Sequence, residues 1–162
     1  MGLTLFTIVH VIISLVAIAT GFIVVGGWIG RSNPRAWTSW FLWTTVATSV
    51  TGFFFPFKGF TPAYAFGVLS LLLLGAAFYA LRSRALAGKW RGVYVITALI
   101  ALYLNTFVLV VQSFQKVPAL KALAPTQGEP PFAIAQGTLL VLCIIAGFFS
   151  LRRFPRTTPV AI

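Results

Sequence analysis

Only one acidic residue, Glu129, occurs among 162, together with one histidine, His10, and one cysteine, Cys143. These scarcities remove whole classes of chemistry. Catalysis by paired carboxylates is impossible within one chain, and a Ser-His-acid triad would have to recruit Glu129 from a connecting segment. A proton relay for coupled transport uses carboxylates inside the membrane, and the apolar runs contain none. A lone cysteine forms no intramolecular disulfide, and a thiol among apolar neighbours is normally inert. One histidine supplies too few ligands for a protein metal site unless subunits combine. No Gly-rich phosphate loop follows a strand, since VVGGWIG (24–30) ends an apolar run.

What the chain does contain is apolar. Hydrophobic residues make up 59% and charged ones 8%, against roughly 25% charged in a soluble domain. A hydrocarbon core of about 30 Å takes about 20 apolar residues per helix. The sequence offers that five times, at approximately 3–29, 37–56, 62–82, 92–114 and 132–151. Barrel strands would be segments of about ten residues alternating apolar and polar, whereas LSLLLLGAAFYAL (69–81) is continuous. The expected fold class is all-α, an integral membrane bundle of five transmembrane helices forming one domain over residues 1–162. The uncharged start MGLTLF and the length of the first run predict a retained helix instead of a cleaved signal peptide.

The net charge of +11 is distributed by side. Arg31, Arg35, Arg82, Arg84, Lys89, Arg91, Arg152, Arg153 and Arg156 fall in alternate connections and the tail, and only Lys58, Lys116 and Lys121 fall in the others. The positive-inside rule then places the amino terminus outside and the carboxy terminus in the cytoplasm. The basic excess reads as a topogenic signal with attraction to anionic membrane lipids, and not as nucleic-acid binding. GRSNPRA (30–36), FPFKGFTP (55–62) and SRALAGKWR (83–91) are turns between antiparallel neighbours. The longest connection, KVPALKALAPTQGEPPF (116–132), reads as an interfacial helix followed by a proline-extended stretch. Trp28, Trp37, Trp40, Trp43 and Trp90 gather on the cytoplasmic side and Phe53–Phe55, Phe57 and Phe60 on the outer, the pattern of interfacial aromatic belts. There is no convincing internal repeat of the transporter kind.

Each run carries a stripe of small or polar residues at helical period, the type of face on which membrane helices pack. The stripes are Thr7, His10, Ser14, Ala17 and Gly21; Thr44, Thr48 and Thr51; Ala63, Gly67, Ser70 and Ala77; Ala98, Ala101, Asn105, Val108 and Gln112; and Gln136, Cys143, Gly147 and Ser150. Gly26 and Gly30 have GxxxG spacing, a single instance at a helix end. At 1.5 Å per residue, His10, Thr48 and Asn105 fall roughly 10 to 14 Å inside the outer boundary, with Thr51, Gln112 and Gln136 shallower. These six are the candidate ligand-binding residues, capped by the second and fourth connections with Lys58 and Glu129. The same groups also serve as ordinary interhelical hydrogen-bonding partners. An ionisable residue at this depth marks His10 as the functional candidate. A neutral imidazole donates from one nitrogen and accepts at the other, which suits a quinone carbonyl, a lipid headgroup or a metal. Haem ranks below quinone: His10 could serve as a single axial ligand or pair across a dimer, but bis-histidine sites need two histidines per haem.

HVIISLVAIATGF (10–22) and YLNTFVLVVQSFQKVP (103–118) followed by LAPTQGEPPF (123–132) resemble stretches of bacterial inner-membrane proteins of unassigned function. The resemblance implies a multi-helix membrane fold and the bacterial cytoplasmic membrane, and carries over no catalytic residue. The expected function is an outward-facing intramembrane pocket for a lipid-like or quinone-like molecule, with no cofactor required by the sequence. The alternatives are a non-catalytic accessory or assembly subunit packed against other membrane subunits or a second copy, a haem-binding redox protein, and a transporter.

Overall fold

The computed structural model describes residues 2–55 and 62–155. Among these residues every regular element is a helix, as the bilayer requires of a spanning chain whose backbone must satisfy its own hydrogen bonds. In chain order they are α1 (Gly2–Ile29), α2 (Arg35–Gly52), α3 (Pro62–Phe78), α4 (Trp90–Lys116), α5 (Pro118–Leu123) and α6 (Pro130–Arg153). Four segments, Thr4–Ile29, Tyr64–Ser83, Trp90–Lys116 and Pro130–Arg153, are long and apolar enough to cross a membrane. That makes the chain, by composition, a multi-pass membrane protein. α2 is shorter, with Thr or Ser at seven of its 18 positions.

Boundaries follow local chemistry. α2 begins at Arg35, directly after Pro34, and ends at Gly52, four residues short of the expected 56. Beyond it Phe53 N–H donates to Val50 O and Phe54 N–H to Thr51 O, closing a tight turn. α3 runs on into a π-helical turn, Tyr79–Ser83. The chain then reverses through Ala85, Leu86 and Gly88, all at positive φ. The expected interfacial helix is α5, opened by Pro118, a residue suited to the first helical turn because it lacks the N–H that would go unpaired there.

α1 packs antiparallel on α2, α2 on α3 and α3 on α4, while α6 lies against α4 and α1. The close approach of α1, α2 and α4 occurs at Gly21, where a Cβ would stand 2.6 Å from Leu102 Cδ1 and 2.9 Å from Phe41 Cε2. The apolar core fills one half of the bundle, with Val24, Phe41, Leu42, Leu74, Tyr94 and Leu102 among its buried members. Trp37, Trp40 and Trp43 are exposed as a belt would be, but Trp28 is 0% exposed. One turn after Val24 on the inward face, it meets Tyr94 and Phe154 edge-on at 5.3 and 5.6 Å. Trp28 is therefore a core residue and not a member of the belt.

Candidate functional site

The other half of the bundle is hollow. A cavity of about 650 Å³ lies between the first half of α1, the end of α2, the start of α3 and the second half of α4. These four segments meet because the antiparallel order brings α1 and α3 starts beside α2 and α4 ends. Helical period then turns one face of each inward. α1 contributes Thr7, His10, Val11, Ser14, Leu15 and Ile18, and α4 contributes Asn105, Val108, Leu109, Gln112 and Lys116. Gly67 on α3 leaves room for Phe53, whose Cζ would lie 2.9 Å from a Cβ at that position.

Most hydroxyls here are satisfied within their own helices. Ser14 donates to His10 O at 2.8 Å, Ser49 to Thr45 O at 2.9 Å and Ser113 to Leu109 O at 2.8 Å. Thr48 Oγ1 and Asn105 Nδ2 are buried without a hydrogen-bond partner, and so are Trp28 Nε1, Gln136 Oε1 and Ser150 Oγ outside the cavity wall. Burying an unpaired polar atom costs roughly 1 to 3 kcal/mol, so native structures contain few of them. His10 is half-buried. Its Nδ1 lies 2.7 Å from Thr51 Oγ1, and its ring stands edge-on to Phe55 at 5.0 Å.

Of the six residues selected from the sequence, His10, Thr48, Asn105 and Gln112 line the cavity. Thr51 stands behind His10 as its hydrogen-bond partner. Gln136 does not join them. It lies on α6, outside the cavity wall, with its Nε2 donating to Phe107 O at 3.3 Å. α6 packs along α4, and none of its residues lines the cavity, so a depth shared with Gln112 did not bring Gln136 to the same place.

The expected caps also divide. Lys58, Phe57 and Phe60 lie outside the described residues, while Phe53 and Phe55 line the cavity and Phe54 is exposed. From the fourth connection Lys116 and Val117 reach the wall. Glu129 is engaged in its own turn instead, accepting from Thr126 Oγ1 at 2.9 Å and from the Gly128 N–H at 3.1 Å. Desolvation pushes its pKa up, but the hydrogen bonds from Thr126 and Gly128 outweigh it and hold the carboxyl below its ordinary value. Gln127 ties the loop back to α4, donating to Val111 O at 2.9 Å.

Among the wall residues outside that selection are Phe55, Tyr64, Phe66 and Lys116. Aromatics at helix ends read equally well as belt, and Lys116 reads in the sequence as a flanking charge. Among the described residues no three His, Cys, Asp or Glu side chains gather into a metal-binding group. Cys143 is half-buried on α6, beside the apolar core. No protein-family model matches the chain, and no match was found among curated proteins or solved structures.

Proposed function

We propose that this is a five-span protein of the bacterial inner membrane, amino terminus outside, that holds a lipid-like or quinone-like amphiphile in the cavity between α1, α2, α3 and α4. The observation that carries this reading is the cavity itself, with the half-buried His10 in its wall among apolar and aromatic neighbours. The cavity volume of about 650 Å³ falls in the range of small-molecule sites. Lys116 at its rim favours an acidic or strongly polar head, and Leu15, Ile18 and Leu104 suit an apolar body.

α2 serves as the fifth span despite its hydroxyl content. Thr44, Thr45, Ser49 and Thr51 donate to the carbonyls of Trp40, Phe41, Thr45 and Ala47, at 2.6 to 2.9 Å. Polarity satisfied inside the helix costs little in lipid. Its 18 residues extend about 27 Å at 1.5 Å each. The charge asymmetry then faces the cavity outward.

The reading is of binding, and no reaction is assigned. Purification in mild detergent followed by mass spectrometry should find a small amphiphile retained in preference to bulk lipid. His10→Ala and Asn105→Leu should each release it. Extracts containing only bulk lipid, unchanged in the variants, would overturn the proposal.

A further inference from the structure

α1 and α4 hold together over one half of their length and part over the other. Trp28 meets Tyr94 with ring centroids 5.3 Å apart, and a Cβ on Gly21 would stand 2.6 Å from Leu102 Cδ1. These contacts set one antiparallel register, which puts Ala17 level with Thr106, Leu15 with Val108 and Val11 with Gln112. At the level of Ala17 and Thr106 the pair is still closed, with those residues 0% and 8% exposed. Immediately beyond it, Leu15 is 46% and Val11 43% exposed, although both line the cavity.

Lining the cavity does not by itself expose a side chain. No wall residue of α2 or α3 is exposed, and on α4 exposure begins at Gln112 and returns one turn later at Lys116. The open part of the wall therefore lies between α1 and α4. On α1, Val11 and Leu15 stand between the cavity residues His10 and Ser14 and the exposed Ile8 and Ile12. α6 does not cover this gap: it meets α1 at the closed end, through Phe154 against Trp28 and Arg153 against Ile29 O. The mouth is thus a slot in the side of the bundle, running roughly 12 Å from the level of Val108 to that of Lys116 at 1.5 Å per residue. Its deep part is apolar, and its polar groups, Gln112 and Lys116, stand at the membrane-boundary end. Lys116 is the only lysine, arginine or acid in the described wall, and the chain's one carboxylate, Glu129, is bonded within its own turn. Among the described residues neither the Gln112 nor the Lys116 side chain has a partner.

We infer that the cavity is filled from the side, by an acidic lipid of the leaflet that holds the start of α1 and the end of α4. Its acyl chain lies through the slot, and its anionic head stays at Lys116 and Gln112. This rests on the binding reading above and narrows it. A chain that slides between Leu15 and Val108 exchanges lipid contacts for side-chain contacts of equal polarity and never crosses water. A head held at the boundary keeps its hydration while it meets the ammonium. Two sources carry that chemistry: a fatty acid, through its carboxylate, and a phospholipid, through its phosphodiester.

The test uses the full chain in phosphatidylcholine nanodiscs with a trace of a fatty acid that carries a diazirine near the middle of its chain. Irradiation and peptide mass spectrometry should mark Leu104 or Val108 in the cavity wall, above the level set by Ile144, which is 63% exposed on α6. Four competitors follow: oleate, methyl oleate, oleoyl lysophosphatidylglycerol and oleoyl lysophosphatidylcholine. At least one anion should displace the cavity label at about fivefold lower concentration than its uncharged or zwitterionic partner, the effect of one basic residue near a membrane surface. The more effective anion identifies the source. Lys116→Gln should remove that preference, whereas Lys121→Gln, on α5 and outside the wall, should keep it. Leu15→Trp and the milder Val11→Phe should narrow the slot and lower the cavity label severalfold relative to Ile144, in protein that melts as wild type does. A cavity label indifferent to the charge of the competitor, a preference that survives Lys116→Gln, or a label undiminished in both narrowed variants overturns the inference while leaving the binding site standing. A cavity label no stronger than that on Ile144 overturns both.

Discussion

Arg91, in the first turn of α4, caps the last turn of α6: its Nη1 donates to Phe154 O at 2.8 Å and its Nη2 to Leu151 O at 3.0 Å. One side chain thereby pairs two carbonyls that a helix end leaves open, and brings positive charge to the negative end of the helix dipole. Beside it, Phe154 closes the Trp28–Tyr94 cluster. Arg91 is thus the clasp for α6.

Arg91→Ala should lower stability by about 1.5 to 3 kcal/mol, the value of hydrogen bonds to a charged group. Arg91→Lys should recover part of it, since an ammonium cannot reproduce the fork. Arg84, exposed and held only by Tyr79 and the Trp90 ring, is the control, with Arg84→Ala expected within about 0.5 kcal/mol of wild type. Thermal melts in one detergent compare the three. Equal melting temperatures for Arg91→Ala and Arg84→Ala would remove the clasp.

Glycine substitutions should separate by what surrounds them. At Gly21 the added Cβ meets Phe41, which is fully buried and cannot retreat, so Gly21→Ala should cost about 1 to 3 kcal/mol. At Gly147 the neighbour is the tip of Leu99, 2.8 Å away, and rotation of that side chain makes Gly147→Ala milder. At Gly75 nothing lies within 4 Å, and Gly75→Ala should be neutral or stabilising by about 0.5 to 1 kcal/mol. The order of the three melting temperatures is the measurement, and a Gly21 variant as stable as the Gly75 variant would contradict the packing described.

Thr48→Val keeps the shape of the side chain and removes its unpartnered hydroxyl. A group that stabilises nothing in the empty protein can be lost for nothing, so the ligand-free melting temperature should hold or rise slightly. Retention of the bound amphiphile should be unchanged, because the hydroxyl presents no surface to the cavity. A marked loss of stability would assign the hydroxyl a hydrogen-bonding role in helix packing instead.

The helices and the site differ in how far the sequence reveals them. Composition and run length place the apolar helices within a few residues, because the bilayer imposes both. Periodicity and depth bring His10, Thr48, Asn105 and Gln112 to one cavity. They fail for Gln136 because depth locates a residue along the bundle axis and says nothing of position around it. That position depends on which helices neighbour which, and α6 sits behind α4. Trp28 fails for a related reason: an aromatic near a helix end reads as belt until the partners on its inward face, Tyr94 and Phe154, are known. The Thr51–His10 bond joins residues 41 apart, and no local pattern announces it.

The Thr126–Glu129 turn should respond to acid. Glu129 titrates below its ordinary value in the folded loop, so the unfolded loop takes up the proton first. The stabilisation is complete above the ordinary glutamate range and disappears as pH falls through the lower folded value. Amide exchange at Thr126 and Gly128 should therefore accelerate at acid pH beyond its intrinsic dependence. In Glu129→Gln it should be fast and lack that extra step. Identical corrected profiles for the two proteins would show that the carboxylate does not hold the turn.

Sidedness can be read with single cysteines on a Cys143→Ser background. Ser32→Cys and Ala87→Cys lie in turns between basic helix ends, and Ala122→Cys lies in α5 near Lys116 and Lys121. With the amino terminus outside, an impermeant maleimide on intact cells should label Ala122→Cys at once and the other two only after lysis. Gly59→Cys, between α2 and α3, decides whether α2 spans. If it does, Gly59→Cys labels with Ala122→Cys, on the face where the cavity opens. If Gly59→Cys stays protected alongside Ser32→Cys, α2 returns to the side from which it started. The cavity then loses its outward exposure, because the ends of α2 and α4 would no longer share one face of the membrane.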